Sequence, residues 1–130
     1  MGSYIAGEVI KLMIKKGIQV TGSKIAVMGI TFKENCPDVR NTKVIDIIRH
    51  LQSYNIQVDI HDPWADPHEV EEEYGVSTTK ELPGGTYDAV ILAVAHNQFR
   101  YEDIKKLRAK TSVLFDVKSV LDKELVDARL

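Results

Sequence analysis

The sequence predicts an α/β fold: a doubly wound, mainly parallel sheet flanked by helices. Three observations predict it. Short apolar runs alternate along the chain with amphipathic runs of helical period, the order that builds parallel strands joined by crossover helices. The runs Lys24 to Ile30 and Ala89 to Val94 carry almost no polar residue, as strands covered on both faces do. Turn residues punctuate the alternation at Gly17, Thr21-Gly22-Ser23, Asp62-Pro63, Gly75 and Pro83-Gly84-Gly85.

Taken in order, Tyr4 to Lys16 sets Ile5, Val9, Leu12 and Met13 on one helical stripe and closes with Lys15, Lys16 and Gly17. Lys24 to Ile30 is the first strand, too apolar for an edge. A second helix runs from Asn41 or Thr42 to about Tyr54 with Val44, Ile45, Ile48 and Leu51 inward, and Asn41 is its expected N-cap. Ile56 to Asp62 alternates as a second strand and stops at Pro63, which cannot donate to a ladder. Asp66 to Tyr74 is a short acidic helix ending at Gly75, and Val76 to Gly85 holds a brief strand and a turn. Tyr87 to Ala95 is the next buried strand. A helix over Tyr101 to Lys110, a strand over Ser112 to Val117 and a short helix from about Lys123 complete the chain.

Composition narrows the function. At 130 residues the chain has the size of one domain, and 44% hydrophobic with 28% charged residues is ordinary for a globular core. A net charge of −2 supplies no field for nucleic acid. No apolar run approaches the ~20 residues of a membrane span, and Met1 to Lys11 lacks a signal-peptide pattern. The single cysteine, Cys36, excludes an internal disulfide framework. A soluble cytoplasmic protein that binds neither nucleic acid nor membrane is the plain expectation.

The most informative stretch is Gly29-Ile30-Thr31-Phe32-Lys33-Glu34-Asn35-Cys36-Pro37-Asp38-Val39-Arg40-Asn41. Strand-to-helix connections usually take ~2–6 residues, and this one runs from about Thr31 to Asn41. It leaves the carboxyl end of a strand, where open parallel sheets bind ligands. It holds Lys33, Arg40 and the unclaimed aromatic Phe32 just before a helix start, the equipment of an anion site. Read on its residues alone, the stretch is either such a site or a structural loop. It is not the usual dinucleotide turn. The alternation is Rossmann-like, but G-x-G-x-x-G is missing, with Thr31, Phe32 and Lys33 where glycines would let the backbone approach a pyrophosphate.

With Lys43-Val44-Ile45-Asp46 added, this stretch resembles the carboxy-terminal, UDP-binding domain of the UDP-glucose/GDP-mannose dehydrogenase family. Phe32 to Asn41 is most similar to the branch of UDP-N-acetylglucosamine and UDP-N-acetylgalactosamine 6-dehydrogenases, which serve capsule, Vi-type and O-antigen polysaccharides in bacteria. Asp62-Pro63-Trp64, Ala93-Val94-Ala95-His96, Phe115-Asp116-Val117-Lys118 and Val120-Leu121-Asp122 continue the likeness along nearly the whole chain.

The resemblance implies that residues 1–22 are the end of a central connecting helix and its turn, and that 23–130 form the UDP-sugar-binding domain of a larger enzyme. It implies an NAD-dependent oxidation carried out mainly with an amino-terminal domain and a cysteine that this stretch does not contain, so the chain alone is expected to be inactive. Phe32, Lys33 and Lys118 are the implied substrate contacts, Arg40 the implied NAD contact, and no catalytic or metal residue is expected here. Lys118 stands where the UDP-glucose branch has arginine, and lysine keeps the charge but loses the planar fork. A homodimer or higher oligomer is the implied assembly.

Blander readings accompany these. Phe32 tucks against the sheet, Lys33 is merely solvated, and Arg40 pairs with Asp38 at the surface. Cys36 serves packing or loop geometry, because a nucleophilic thiol needs an activating base or electropositive help. His96 and Asn97 serve a turn or cap, Trp64 a core or an oligomer contact, and the Glu69 to Glu73 run a solvated helix face. His61, Asp62 and His68 have no zinc spacing. Other UDP-sugar branches of the same family and a stand-alone nucleotide-binding or oligomerisation module remain alternatives. A phosphorelay receiver, suggested by Asp62 and Lys118, fails for want of an acidic pair after the first strand.

Overall fold

In the computed structural model, which describes residues 2–130, the first strand stands at the centre because its residues tolerate no water on either side. Strand β1 (Lys24–Met28) buries Ile25, Ala26, Val27 and Met28 completely. Alternate residues face opposite sides. Ile25 and Val27 join the cluster under α1 (Gly2–Lys15) and α2 (Val44–Gln52), whereas Ala26 and Met28 join the cluster under α4 (Tyr101–Leu107). Helices therefore cover both faces, as expected.

The remaining strands are β2 (Gln57–His61), β3 (Thr78–Thr79), β4 (Tyr87–Leu92), β5 (Arg108–Asp116) and β6 (Ala128–Arg129). The sheet order is β3-β2-β1-β4-β5-β6, and every pairing is parallel. The order reverses between β1 and β4, which makes their carboxyl ends the switch-point crevice of a doubly wound sheet. Helix α3 (Pro67–Tyr74) links β2 to β3, with the Asp66 side chain capping its start and Gly75 left-handed at its end. Glu69, Glu71, Glu72 and Glu73 are exposed on it while Val70 is buried.

Gly29 ends β1, and its identity is forced. Its φ is +98°, and a Cβ there would lie 2.5 Å from Val94 Cβ, so only glycine permits this close approach to the chain leaving β4.

Three expectations are corrected. Asn41 is not an N-cap: its φ is +57°, α2 starts at Val44, and the Thr42 hydroxyl accepts the Val44 N–H at 3.2 Å. The helix expected to reach Lys110 stops at Leu107, and Arg108 already pairs with Tyr87 in the sheet. Tertiary partners override helix propensity there: the Arg108 guanidinium reaches the Ser112 hydroxyl, the Ser112 carbonyl and Asp127 at 2.9–3.1 Å. The closing helix is a single 3₁₀ turn (Lys123–Leu125), after which the short β6 adds an unforeseen edge strand. Among the described residues no helix is long and apolar enough to cross a membrane.

Candidate functional site

The chain leaving β1 is held by one carboxylate. Asp62, just past β2, accepts the N–H groups of Ile30 (2.7 Å) and Thr31 (3.1 Å) on Oδ2, and those of Trp64 (2.8 Å) and Ala65 (3.1 Å) on Oδ1. Its side chain is fully buried. Burial pushes this carboxyl up. The His96 hydrogen bond and the N–H groups of Ile30 and Trp64 outweigh that and hold it below the usual carboxylate range. Asp62 is thus spent on the fold and is not free to hold a ribose hydroxyl.

His96 is the second fastening. Its Nε2 lies 3.0 Å from Asp62 Oδ2 and 3.0 Å from the Thr31 hydroxyl, and its Nδ1 is 2.9 Å from the Asn35 backbone nitrogen. The Asn35 side-chain carbonyl accepts the Asn97 N–H at 2.9 Å. Farther along, the Phe32 N–H donates to the Asp38 carbonyl at 2.7 Å, which closes the loop on itself. Val39 is buried, and its carbonyl accepts the Tyr74 hydroxyl at 2.5 Å. The loop is therefore an ordered platform, tied at both ends.

Two of the nominated side chains on it are exposed. Phe32 is 56% exposed, so it is not tucked against the sheet, and Lys33 is exposed as well. Phe32 and Lys118 line one cavity of about 270 Å³, together with Thr31, Lys43, Ile47 and Val94. Asp116, buried at the end of β5, accepts the N–H groups of Lys118 (2.9 Å) and Leu121 (2.7 Å) and so fixes the turn that carries Lys118. Among the described residues no ion pair involves Lys33, Lys43 or Lys118. The start of α2 borders the same cavity, adding the positive end of a helix to two ammonium groups. Ile47 and Val94 line the same cavity, and apolar side chains together with cations suit a flat ring joined to an anionic group.

The nominated residues do not all converge. Lys33 follows Phe32 but lies outside the cavity lining. Arg40 is likewise outside the lining, its Nε 3.1 Å from Asp38 Oδ1 in an exposed pair. That contact lowers the Asp38 carboxyl and raises the guanidinium. Cys36 is a half-buried free thiol. Trp64 donates its indole N–H to Gln98 at 2.9 Å. Sequence reasoning missed Lys43 as a cavity residue, although its place at a helix start was a usable signal. It also missed the buried work of His96 and Asp116, for which no local pattern exists.

Residues 26–123 match the UDP-binding domain of the UDP-glucose/GDP-mannose dehydrogenase family. The chain belongs to this family. It is 49% identical to the UDP-N-acetyl-D-glucosamine 6-dehydrogenase of Salmonella typhi, over 100% of this chain and 31% of that protein. It is 47% identical to the enzyme of the same description from Pseudomonas aeruginosa, over 100% of this chain and 32% of that protein. The chain thus spans about a third of the length of these curated relatives. Among solved structures, the NDP-N-acetyl-D-galactosaminuronic acid dehydrogenase of Methanosarcina mazei superposes with a TM-score of 0.81 at 22% identity, covering 95% of this chain and 26% of that one. At that identity the likeness is one of fold. The cavity described above is lined mostly by residues of the matched domain, at the carboxyl edge of its sheet, with Gly2, Ile5 and Leu130 added from outside the matched stretch.

Proposed function

We propose that this chain is the UDP-sugar-binding domain of an NAD-dependent nucleotide-sugar 6-dehydrogenase. The substrate is a UDP-N-acetylhexosamine, oxidised to its uronic acid for surface polysaccharide synthesis. The observation that carries this reading is the convergence of Phe32, Lys43 and Lys118 on one cavity at the switch point of the sheet. Identities of 49% and 47% to UDP-N-acetyl-D-glucosamine 6-dehydrogenases favour the N-acetylhexosamine branch. In this reading residues 1–22 are the end of a connecting helix, and 23–130 are the binding domain.

Each residue has a role. Phe32 offers an aromatic face, and Lys43 and Lys118 in the cavity lining, with Lys33 next to Phe32 in the chain, neutralise the diphosphate. Arg40, exposed in the same loop, reaches toward NAD held by the rest of the protein. This domain does not itself fit a dinucleotide: Phe32 and Lys33 stand where glycines are needed, and Asp62 has no acceptor to spare. NAD, when bound elsewhere, accepts the hydrides. This chain's residues hold and orient the UDP-sugar and contribute no group to the oxidation. A cytoplasmic location suits both ligands, and the full-length protein is a dimer or higher oligomer, which light scattering checks.

Calorimetric titration of the chain with UDP and UDP-N-acetylglucosamine tests the reading. Losing a charge-assisted contact to a bound anion costs ~1.5–3 kcal/mol, or roughly ten- to a hundredfold in affinity. Lys33→Ala loses that much and Lys118→Ala somewhat less. In the full-length protein, Arg40→Ala weakens NAD and spares UDP-sugar. Incubating the chain with NAD and UDP-N-acetylglucosamine yields no reduced cofactor. Wild-type affinity in both lysine variants overturns the assignment.

A further inference from the structure

We infer that His96 is a positioning residue for the binding loop, and that it works through its Nδ1 lone pair. The inference rests on the reading of Phe32 and Lys33 as ligand contacts. Those two residues lie between Thr31 and Asn35, and both of the flanking residues are bonded to the same imidazole: Thr31 Oγ1 at 3.0 Å and the Asn35 backbone nitrogen at 2.9 Å. One buried ring therefore sets both ends of the segment that presents the aromatic and the cation.

The partners assign the tautomer. A backbone N–H points at Nδ1, so Nδ1 carries a lone pair. The ionised Asp62 carboxylate can only accept, so the ring proton is on Nε2, where the N–H is shared between Asp62 Oδ2 and Thr31 Oγ1, both at 3.0 Å. The Thr31 hydroxyl spends its own hydrogen on the Lys33 carbonyl at 3.0 Å and leaves oxygen lone pairs toward the ring. The ring itself is immobilised: its side chain is fully buried, with Phe99 edge-on at 5.3 Å between centroids and Trp64 at 6.1 Å. Asn35 is left-handed at φ +56°, a conformation that asparagine tolerates better than other non-glycine residues, and the bond to Nδ1 fixes the direction of its N–H there. A second bond, Asn97 N–H to Asn35 Oδ1 at 2.9 Å, fastens the same residue to the same turn.

This assignment separates two amide substitutions that a merely space-filling role would not. Asparagine places its Oδ1 near the position of Nδ1 and keeps the acceptor for Asn35. Glutamine places its Nε2 near the ring Nε2 and keeps the donor to Asp62 while losing that acceptor. The experiment measures UDP affinity by calorimetry and the exchange rate of the Asn35 amide by NMR, in wild type, His96→Asn and His96→Gln, and records the ring-nitrogen shifts of His96 in wild type. His96→Gln weakens UDP ~10-fold or more and deprotects the Asn35 amide, whereas His96→Asn retains both to within about threefold. Equal affinities in the two variants, or the reverse order, overturn the inference. The ring-nitrogen shifts need no variant to fold: a protonated Nδ1 at neutral pH overturns it independently. A wild-type chain that binds neither UDP nor a UDP-sugar defeats the ligand reading, and the clasp is then judged by the ring-nitrogen signature and the Asn35 exchange alone.

Discussion

Two of the aspartates that gather hydrogen bonds in this domain, Asp62 and Asp127, do so with different partners. Asp62 is fully buried and is satisfied by four backbone N–H groups and the His96 ring. Asp127 is partly exposed and is satisfied mainly by side chains, Lys16 at 2.5 Å and Arg108 at 2.9 Å, with the Leu114 N–H at 2.7 Å. The first hub sits at the carboxyl edge of the sheet, and its donors Ile30 and Thr31 begin the long loop after β1. The second is a seam that ties the end of α1 to β5 and to the chain before β6. A carboxylate that collects backbone amides dictates where the backbone runs. One that collects long side chains secures elements whose course is already set.

The sharpest way to break this comparison is to delete each carboxylate. Asp62→Ala strands four backbone donors and His96 in the interior. Its expected cost is ~3–5 kcal/mol, the range for removing one partner of a buried charged network, read as a fall in the urea midpoint. UDP affinity falls with it. Asp127→Ala removes half-exposed contacts and costs ~1–3 kcal/mol with UDP affinity unchanged. Equal losses of affinity in the two variants would erase the distinction between a loop hub and a seam.

Acid sharpens the same contrast. Burial pushes the Asp127 carboxyl up, but its bonds to Lys16 and Leu114 outweigh that and leave it lowered, as Asp62 is. Both carboxylates therefore contribute stability that is present above an unfolded pKa of ~4 and lost as pH falls through the lowered folded values. His61 acts earlier. Burial holds its imidazole below the ordinary value, against the Thr79 carbonyl and Asp62, so the unfolded chain takes up more protons from ~6.5 downward and stability declines there. Urea midpoints followed from pH 7 downward, at roughly half-unit steps, should show a shallow decline and then a steeper one. Asp62→Asn should flatten the steeper one.

The smallest effect belongs to Arg40→Ala. Its pair with Asp38 is exposed and lies within the loop, and surface pairs of this kind contribute little. Thermal melting and UDP binding of the chain should both match wild type. A clear loss of stability would mean that this surface pair is as firmly built as the clasp.

How far the sequence could be read depends on the range of each interaction. The buried strands were legible because four consecutive apolar residues such as Ile25 to Met28 have no place on a wet surface. The long loop after β1 was legible as a candidate site because its length and its Phe32-Lys33 and Arg40 content are local facts. Arg108 was misread because its neighbours favour a helix while its partners, Ser112 and Asp127, favour the sheet. Asn41 looked like a cap, but the loop ahead of it brings it in left-handed, Lys43 takes the cap position, and the Thr42 hydroxyl meets the Val44 N–H.

By itself, then, the sequence determined the alternating α/β order, the central strand and the family motif, because each is written in residues close together along the chain. Only the tertiary structure decided that His96 joins Thr31 and Asn35, residues 65 and 61 positions away. It alone decided that Asp62 serves the fold and that Lys43 and Lys118 share a cavity. The physical reason is that buried polar groups must be paired wherever the packing places them, and no sequence period encodes a partner set by the crossing of separate strands.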